Sequence, residues 1–125
     1  MLVNKDEIRR RVIEALKNTY DPEIPINVWD LGLIYGLEIS DDGVVHIRMT
    51  LTTPGCPIAN MIVYCVVEAV QGVDGVRDVD VELVFEPPWD PTRMTKDGRE
   101  KFKEIYGYDI VNEYLRQKGL GEGGG

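Results

Sequence analysis

The sequence predicts a two-layer α+β sandwich: a small mixed three-stranded sheet with helices on one face, in the order α-β-β-α-β, followed by a C-terminal helical extension. Three observations lead there. Apolar residues recur at helical spacing near the start of the chain and again after residue 57, three other runs alternate with period two, and each of those runs has one apolar face. At 125 residues the chain has the length of one domain and can bury a core without disulfide staples.

The first helix opens at Asn4, which with Glu7 has the spacing of a capping box, and Ile8, Val12, Ala15 and Leu16 give it an apolar face ending near Thr19. Pro22 and Pro25 stop it and begin an irregular stretch through Gly32. Leu33, Tyr35, Leu37 and Ile39 then mark one face of a first strand. Val45, Ile47, Met49 and Leu51 mark a second, with His46, Arg48 and Thr50 on its opposite side. Asp41-Asp42-Gly43 is the turn between them, so the two strands form an antiparallel hairpin. A second helix follows, with Ile58, Met61, Ile62, Cys65, Val66, Ala69 and Val70 as its apolar stripe and Gly72 and Gly75 as its end. Val79, Val81, Leu83 and Phe85 alternate with acids as a third strand. Beyond Glu86-Pro87-Pro88-Trp89, Thr95 caps a short helix containing Phe102 and Ile105, and a last helical segment carries Ile110, Val111, Tyr114 and Leu115. The organisation read from this is an α+β domain over 1–90, an extension over 91–118, and a Gly-rich tail over 119–125 expected to be disordered.

Composition narrows the function. The net charge of -8 disfavours nucleic acid, whose phosphates require Lys and Arg. The basic cluster Arg9-Arg10-Arg11 is interleaved with Asp6, Glu7 and Glu14 and reads as a solvated helix face. The longest apolar run, Met61 to Val67, falls short of the roughly 20 residues of a membrane helix, and the charged N-terminus lacks an apolar signal core. Two cysteines make no disulfide framework, so a reducing, cytoplasmic setting is expected.

Topology gathers the chemistry. In the hairpin, the start of the first strand lies beside the end of the second, and a helical crossover makes the third strand parallel to the second. The loops bearing Asp21, Glu23 and Asp30, then Thr52, Thr53 and Cys56, then Glu86 and Trp89 therefore converge at one rim. Cys56 precedes Pro57, which suits the first helical position, so Cys56 is placed as a helix cap whose sulfur faces unpaired N–H groups that favour thiolate. The alternative is a small apolar loop filler. His46 lies about 17 Å from the rim by strand rise, too far to be the base for Cys56. Cys65, nine residues and about 13 Å further along the helix, is expected in the core. No glycine-rich phosphate loop occurs.

Three segments, Asp21-Pro22-Glu23-Ile24-Pro25-Ile26-Asn27-Val28-Trp29-Asp30-Leu31-Gly32-Leu33-Ile34-Tyr35, Thr52-Thr53-Pro54-Gly55-Cys56-Pro57 and Glu86-Pro87-Pro88-Trp89, together resemble one family. It is the iron-sulfur cluster assembly domain shared by SufT-type and PaaD-type maturation proteins and by eukaryotic cytosolic cluster-targeting factors. The resemblance covers about residues 5 to 90, and Phe85 stands where many relatives have tryptophan. It implies a compact, often dimeric α+β domain that builds clusters or delivers them to apoproteins, with the positions of Cys56 and Asp21 suspected of function. A cluster commonly takes four protein ligands, usually thiolates. One chain offers a single plausible thiolate, so two chains would share a cluster through paired Cys56 residues helped by Asp21 or Glu23, or a partner would complete a transient site. The expected partners are scaffold, carrier or client apoproteins and a second copy of the chain. The expected activity is assembly or transfer without turnover. A cluster-free adaptor, with Thr52, Thr53, Asp30, Glu86 and Trp89 as its binding rim, and a redox-active thiol protein stand as alternatives.

Overall fold

The computed structural model describes residues 4–21, 24–52 and 59–118. Helix α1 spans Lys5–Lys17, and the Asn4 side chain accepts a 3.1 Å hydrogen bond from the Glu7 N–H. Strands β1 (Ile34–Ile39) and β2 (Val44–Met49) pair antiparallel, helix α2 (Ala59–Gln71) crosses over, and β3 (Asp78–Leu83) pairs parallel to β2. The sheet order is β1-β2-β3. This is the expected α+β arrangement. The described extension forms a 3-10 turn (Pro91–Arg93), α3 (Lys96–Tyr106) and α4 (Ile110–Gln117), with Thr95 capping α3 as its sequence position predicts.

The core lies between α1, α2 and one sheet face. Val12 and Leu16 from α1, Val66 and Val70 from α2, and Val45, Ile47 and Met49 from β2 are fully buried there. Removing this much apolar surface from water is the main stabilising term, at about 25 cal/mol per Å². The opposite sheet face is wet and charged: Glu38, His46 and Asp80 lie side by side across the three strands, and His46 Nδ1 is 3.3 Å from an Asp80 carboxylate oxygen.

Four expectations require correction. Cys65 and Met61 do not lie in the core; both are exposed. The buried line of α2 is Ile62, Val66 and Val70, and Met61 and Cys65 each precede a member of it, about 100° around the helix. A register shift between Ile34 and Gly36 makes Tyr35 an inserted residue, so it turns away from the face that holds Leu37 and Ile39. Thr50, expected on the wet face, is buried where β2 leaves the sheet, its N–H bonding the Leu33 carbonyl at 2.8 Å. Phe85 lies beyond the end of β3 and is exposed. The capping geometry proposed for Cys56 and the disorder expected over 119–125 lie outside the described residues.

Candidate functional site at the sheet rim

The convergence of the three strand ends is observed. Ile34 at the start of β1, Met49 at the end of β2 and Leu83 at the end of β3 stand in register at one end of the sheet. Two further bonds extend the rim past the strands: Thr50 N–H to the Leu33 carbonyl and Val84 N–H to the Met49 carbonyl, both 2.8 Å. Thr52 follows directly and is half-buried. Cys56, Glu23 and Thr53 lie outside the described residues.

Asp21 is buried and built into its own loop. Its carboxylate accepts the Ile24 N–H at 3.0 Å, and its own N–H reaches the Ile26 carbonyl at 3.3 Å. The chain returns beside itself here, with Tyr20 bridged to Asn27 and the Val28 N–H donating to the Thr19 carbonyl at 2.8 Å. Short polar side chains favour such turns because they bond the backbone locally.

Asp30 has a different role. Its N–H donates to Asn27 Oδ1 and one carboxylate oxygen accepts from Asn27 Nδ2, both at 2.8 Å, while the other accepts from the Thr95 hydroxyl at 2.7 Å. The Thr95 N–H also reaches the Asp30 carbonyl at 2.9 Å. Trp89 donates its indole N–H to the Leu31 carbonyl at 2.7 Å. Asp30 and Trp89, both expected to line a binding rim, thus fasten the extension to the loop before β1. Two glycines permit the approach. A Cβ on Gly32, whose φ is +78°, would meet the Arg93 carbonyl oxygen at 2.1 Å, and one on Gly98 would meet that of Asp30 at 2.3 Å.

Glu86 lies on the wall of an open groove of about 530 Å³ lined also by Trp29, Tyr35, Arg48, Arg93 and Thr95. The Tyr35 hydroxyl donates to the Pro87 carbonyl at 2.9 Å, and the Arg93 guanidinium stacks 4.7 Å from the Tyr35 ring centre. Burial pushes the Tyr35 hydroxyl above its ordinary pKa, Asp90 adds to this, and Arg93 opposes it. Asn27, Tyr35, Arg48, Arg93 and Thr95 were not named as site residues from sequence. The three-residue spacing of Asn27 and Asp30 was the one local signal available; the others depend on the bulge and on how the extension folds back.

Among the described residues, no three His, Cys, Asp or Glu side chains are placed to hold a metal ion. No helix among them is long and apolar enough to cross a membrane.

The iron-sulfur cluster assembly protein family matches residues 9–83. The chain belongs to that family. A relative from Porphyromonas gingivalis, described as an Fe-S protein maturation auxiliary factor, is 45% identical over 87 residues, covering 70% of this chain and 83% of its own. An iron-sulfur cluster carrier protein of Deinococcus radiodurans is 39% identical over 72 residues, which are 58% of this chain and 20% of the carrier. Among solved structures, a conserved hypothetical protein of Thermotoga maritima is 47% identical, with a TM-score of 0.66 over 75% of this chain and 92% of its own. The family match closes at the end of β3, so the 3-10 turn, α3 and α4 lie beyond it.

Proposed function

We propose that this protein is an iron-sulfur cluster assembly or transfer factor that holds a cluster, or iron, transiently through Cys56 shared with a second molecule. The observation that carries the reading is family membership across 9–83, the segment that contains Asp21, Glu23 and Cys56. Ligand number sets the chemistry. One thiolate cannot complete a four-ligand shell, so a second copy of the chain or a partner supplies the rest, with Asp21 and Glu23 as the chain's own oxygen donors. Incomplete coordination by any one chain suits cargo that must leave. In this reading the protein works in the cytoplasm as a homodimer, receives its cargo from a scaffold or carrier, passes it to apoproteins, and has no turnover activity of its own.

Anaerobic reconstitution with iron and sulfide tests it. Wild type gains visible absorbance, Cys65→Ala retains it, and Cys56→Ala loses it; full cluster binding by Cys56→Ala overturns the ligand role. A second reading, a partner-binding adaptor that carries no cluster, draws on the exposed Tyr20, Met61 and Tyr64 beside Cys65. It is favoured if wild type binds neither iron nor cluster while Cys56→Ala still supports maturation of an apo-ferredoxin.

A further inference from the structure

The groove at the rim is formed jointly by the family domain and by a segment the family match does not reach. Trp29, Tyr35 and Arg48 come from the former, and Glu86, Arg93 and Thr95 from the latter. In a chain of net charge -8 it brings two arginines to one cavity, against one lining acid, Glu86. Neither arginine is tightly paired with an acid. Arg48 meets Glu82 only at 3.8 Å, with both side chains largely exposed. The Arg93 Nε is buried with no hydrogen-bond partner among the described residues, although its guanidinium is fixed over the Tyr35 ring. Buried polar groups in folded proteins nearly always have partners, so the orphaned Nε shows a guanidinium that no acceptor among the described residues neutralises, and its charge is left for a ligand in the groove.

We propose that this groove is a binding site for a carboxylate whose carbon skeleton rests against Trp29 and Tyr35. Three features select that ligand class. A guanidinium presents a planar fork that matches a planar carboxylate. Glu86 and the acidic protein around it oppose a dianion such as phosphate more strongly than a monoanion. The aromatic wall offers apolar surface to an organic body and none of use to a bare inorganic ion. The cavity, at about 530 Å³, has the size of small-molecule sites. The same chemistry could come from a free carboxylic acid or from a Glu side chain in a peptide. The proposal does not depend on cluster binding.

The test is titration of isotopically labelled full-length protein followed by NMR, with benzoate in one arm, an acetylated and amidated Ala-Ala-Glu-Ala-Ala peptide in a second, and inorganic phosphate in a third. Saturable shifts at the Trp29 indole and the Tyr35 and Gly36 amides with benzoate assign a free acid, and with the peptide a side-chain carboxylate; either supports the proposal. Arg93→Gln is expected to weaken binding by about tenfold or more, and Arg93→Lys by less, since it keeps the charge and loses the fork. Should Arg93→Gln misfold, Arg48→Gln carries the same expectation from an exposed position. Shifts that do not saturate, shifts unchanged in the folded variants, or phosphate binding as tightly as the carboxylates overturn it.

Discussion

Replacing Gly98 with alanine tests how the extension is held. The substitution should favour α3 by about 1 kcal/mol, because glycine is a poor helix former. The new Cβ would lie 2.3 Å from the Asp30 carbonyl oxygen and 3.0 Å from its carbon, a backbone contact that no side-chain rotation can relieve. To reach ordinary contact, α3 must retreat by about 1 Å. The Thr95 N–H to Asp30 carbonyl bond, now 2.9 Å, would then exceed hydrogen-bonding range, and so would the 2.7 Å bond from the Thr95 hydroxyl to the Asp30 carboxylate. Losing a neutral bond at about 1 kcal/mol and a charge-assisted one at about 2 outweighs the helix gain by about 2 kcal/mol. For a chain of this length that lowers Tm by about 8 °C. The assay is thermal unfolding by circular dichroism, with hydrogen exchange reporting faster opening of α3. Gly107→Ala is the control: its φ is +84° but nothing lies within 4 Å, so it costs only the left-handed strain, about 1 kcal/mol. A Gly98→Ala protein that melts at or above wild type would refute the reasoning.

Three further outcomes follow from the same geometry. Asn27→Ala removes both 2.8 Å bonds to Asp30 and leaves a buried N–H unpaired, for a loss of about 2–3 kcal/mol in denaturant unfolding. Asp109→Ala removes the cap that accepts from Val111 and Asn112 at the start of α4, costing about 1 kcal/mol, whereas Asp109→Asn retains most of it by the same measurement. The Asp42 carboxyl is held below its ordinary range first by the Ser40 hydroxyl and then, more weakly, by Arg77. Its folded pKa is depressed, so its contribution is present above the unfolded value near 3.9 and is lost as pH falls through the folded one. Carboxyl NMR titration should show Ser40→Ala raising the Asp42 midpoint more than Arg77→Gln does.

The fold was legible because its patterns are local. The period-two alternation of Val45, Ile47 and Met49 and the Asp41-Asp42-Gly43 turn determine the hairpin, and the crossover helix then determines the direction of β3. From those alone the three strand ends fall at one rim, as observed. The departures arose where tertiary placement decides. Cys65 belongs to an apolar-looking stripe, yet α2 buries only a narrow line against the sheet and α1. Tyr35 obeys strand alternation in sequence and breaks it in space, since a bulge leaves no distinct residue signature here. Apart from Asn27, the partners of Asp30 and Trp89 sit in distant parts of the chain, 65 residues away for Thr95 and 58 for Leu31, beyond the reach of any spacing argument.

The Thr95 to Asp30 bond has a bearing on recognition. Asp30 lies at the rim with one carboxylate oxygen held by Asn27 and the other by Thr95. A metal or partner that draws on the oxygen now bonded by Thr95 would weaken that bond, and Thr95 is the cap of α3. The state of Asp30 is thus coupled to residues 91–118: whatever draws on its carboxylate loosens one tie of the extension and leaves the Thr95 N–H to Asp30 carbonyl and Trp89 to Leu31 carbonyl bonds to hold the rest.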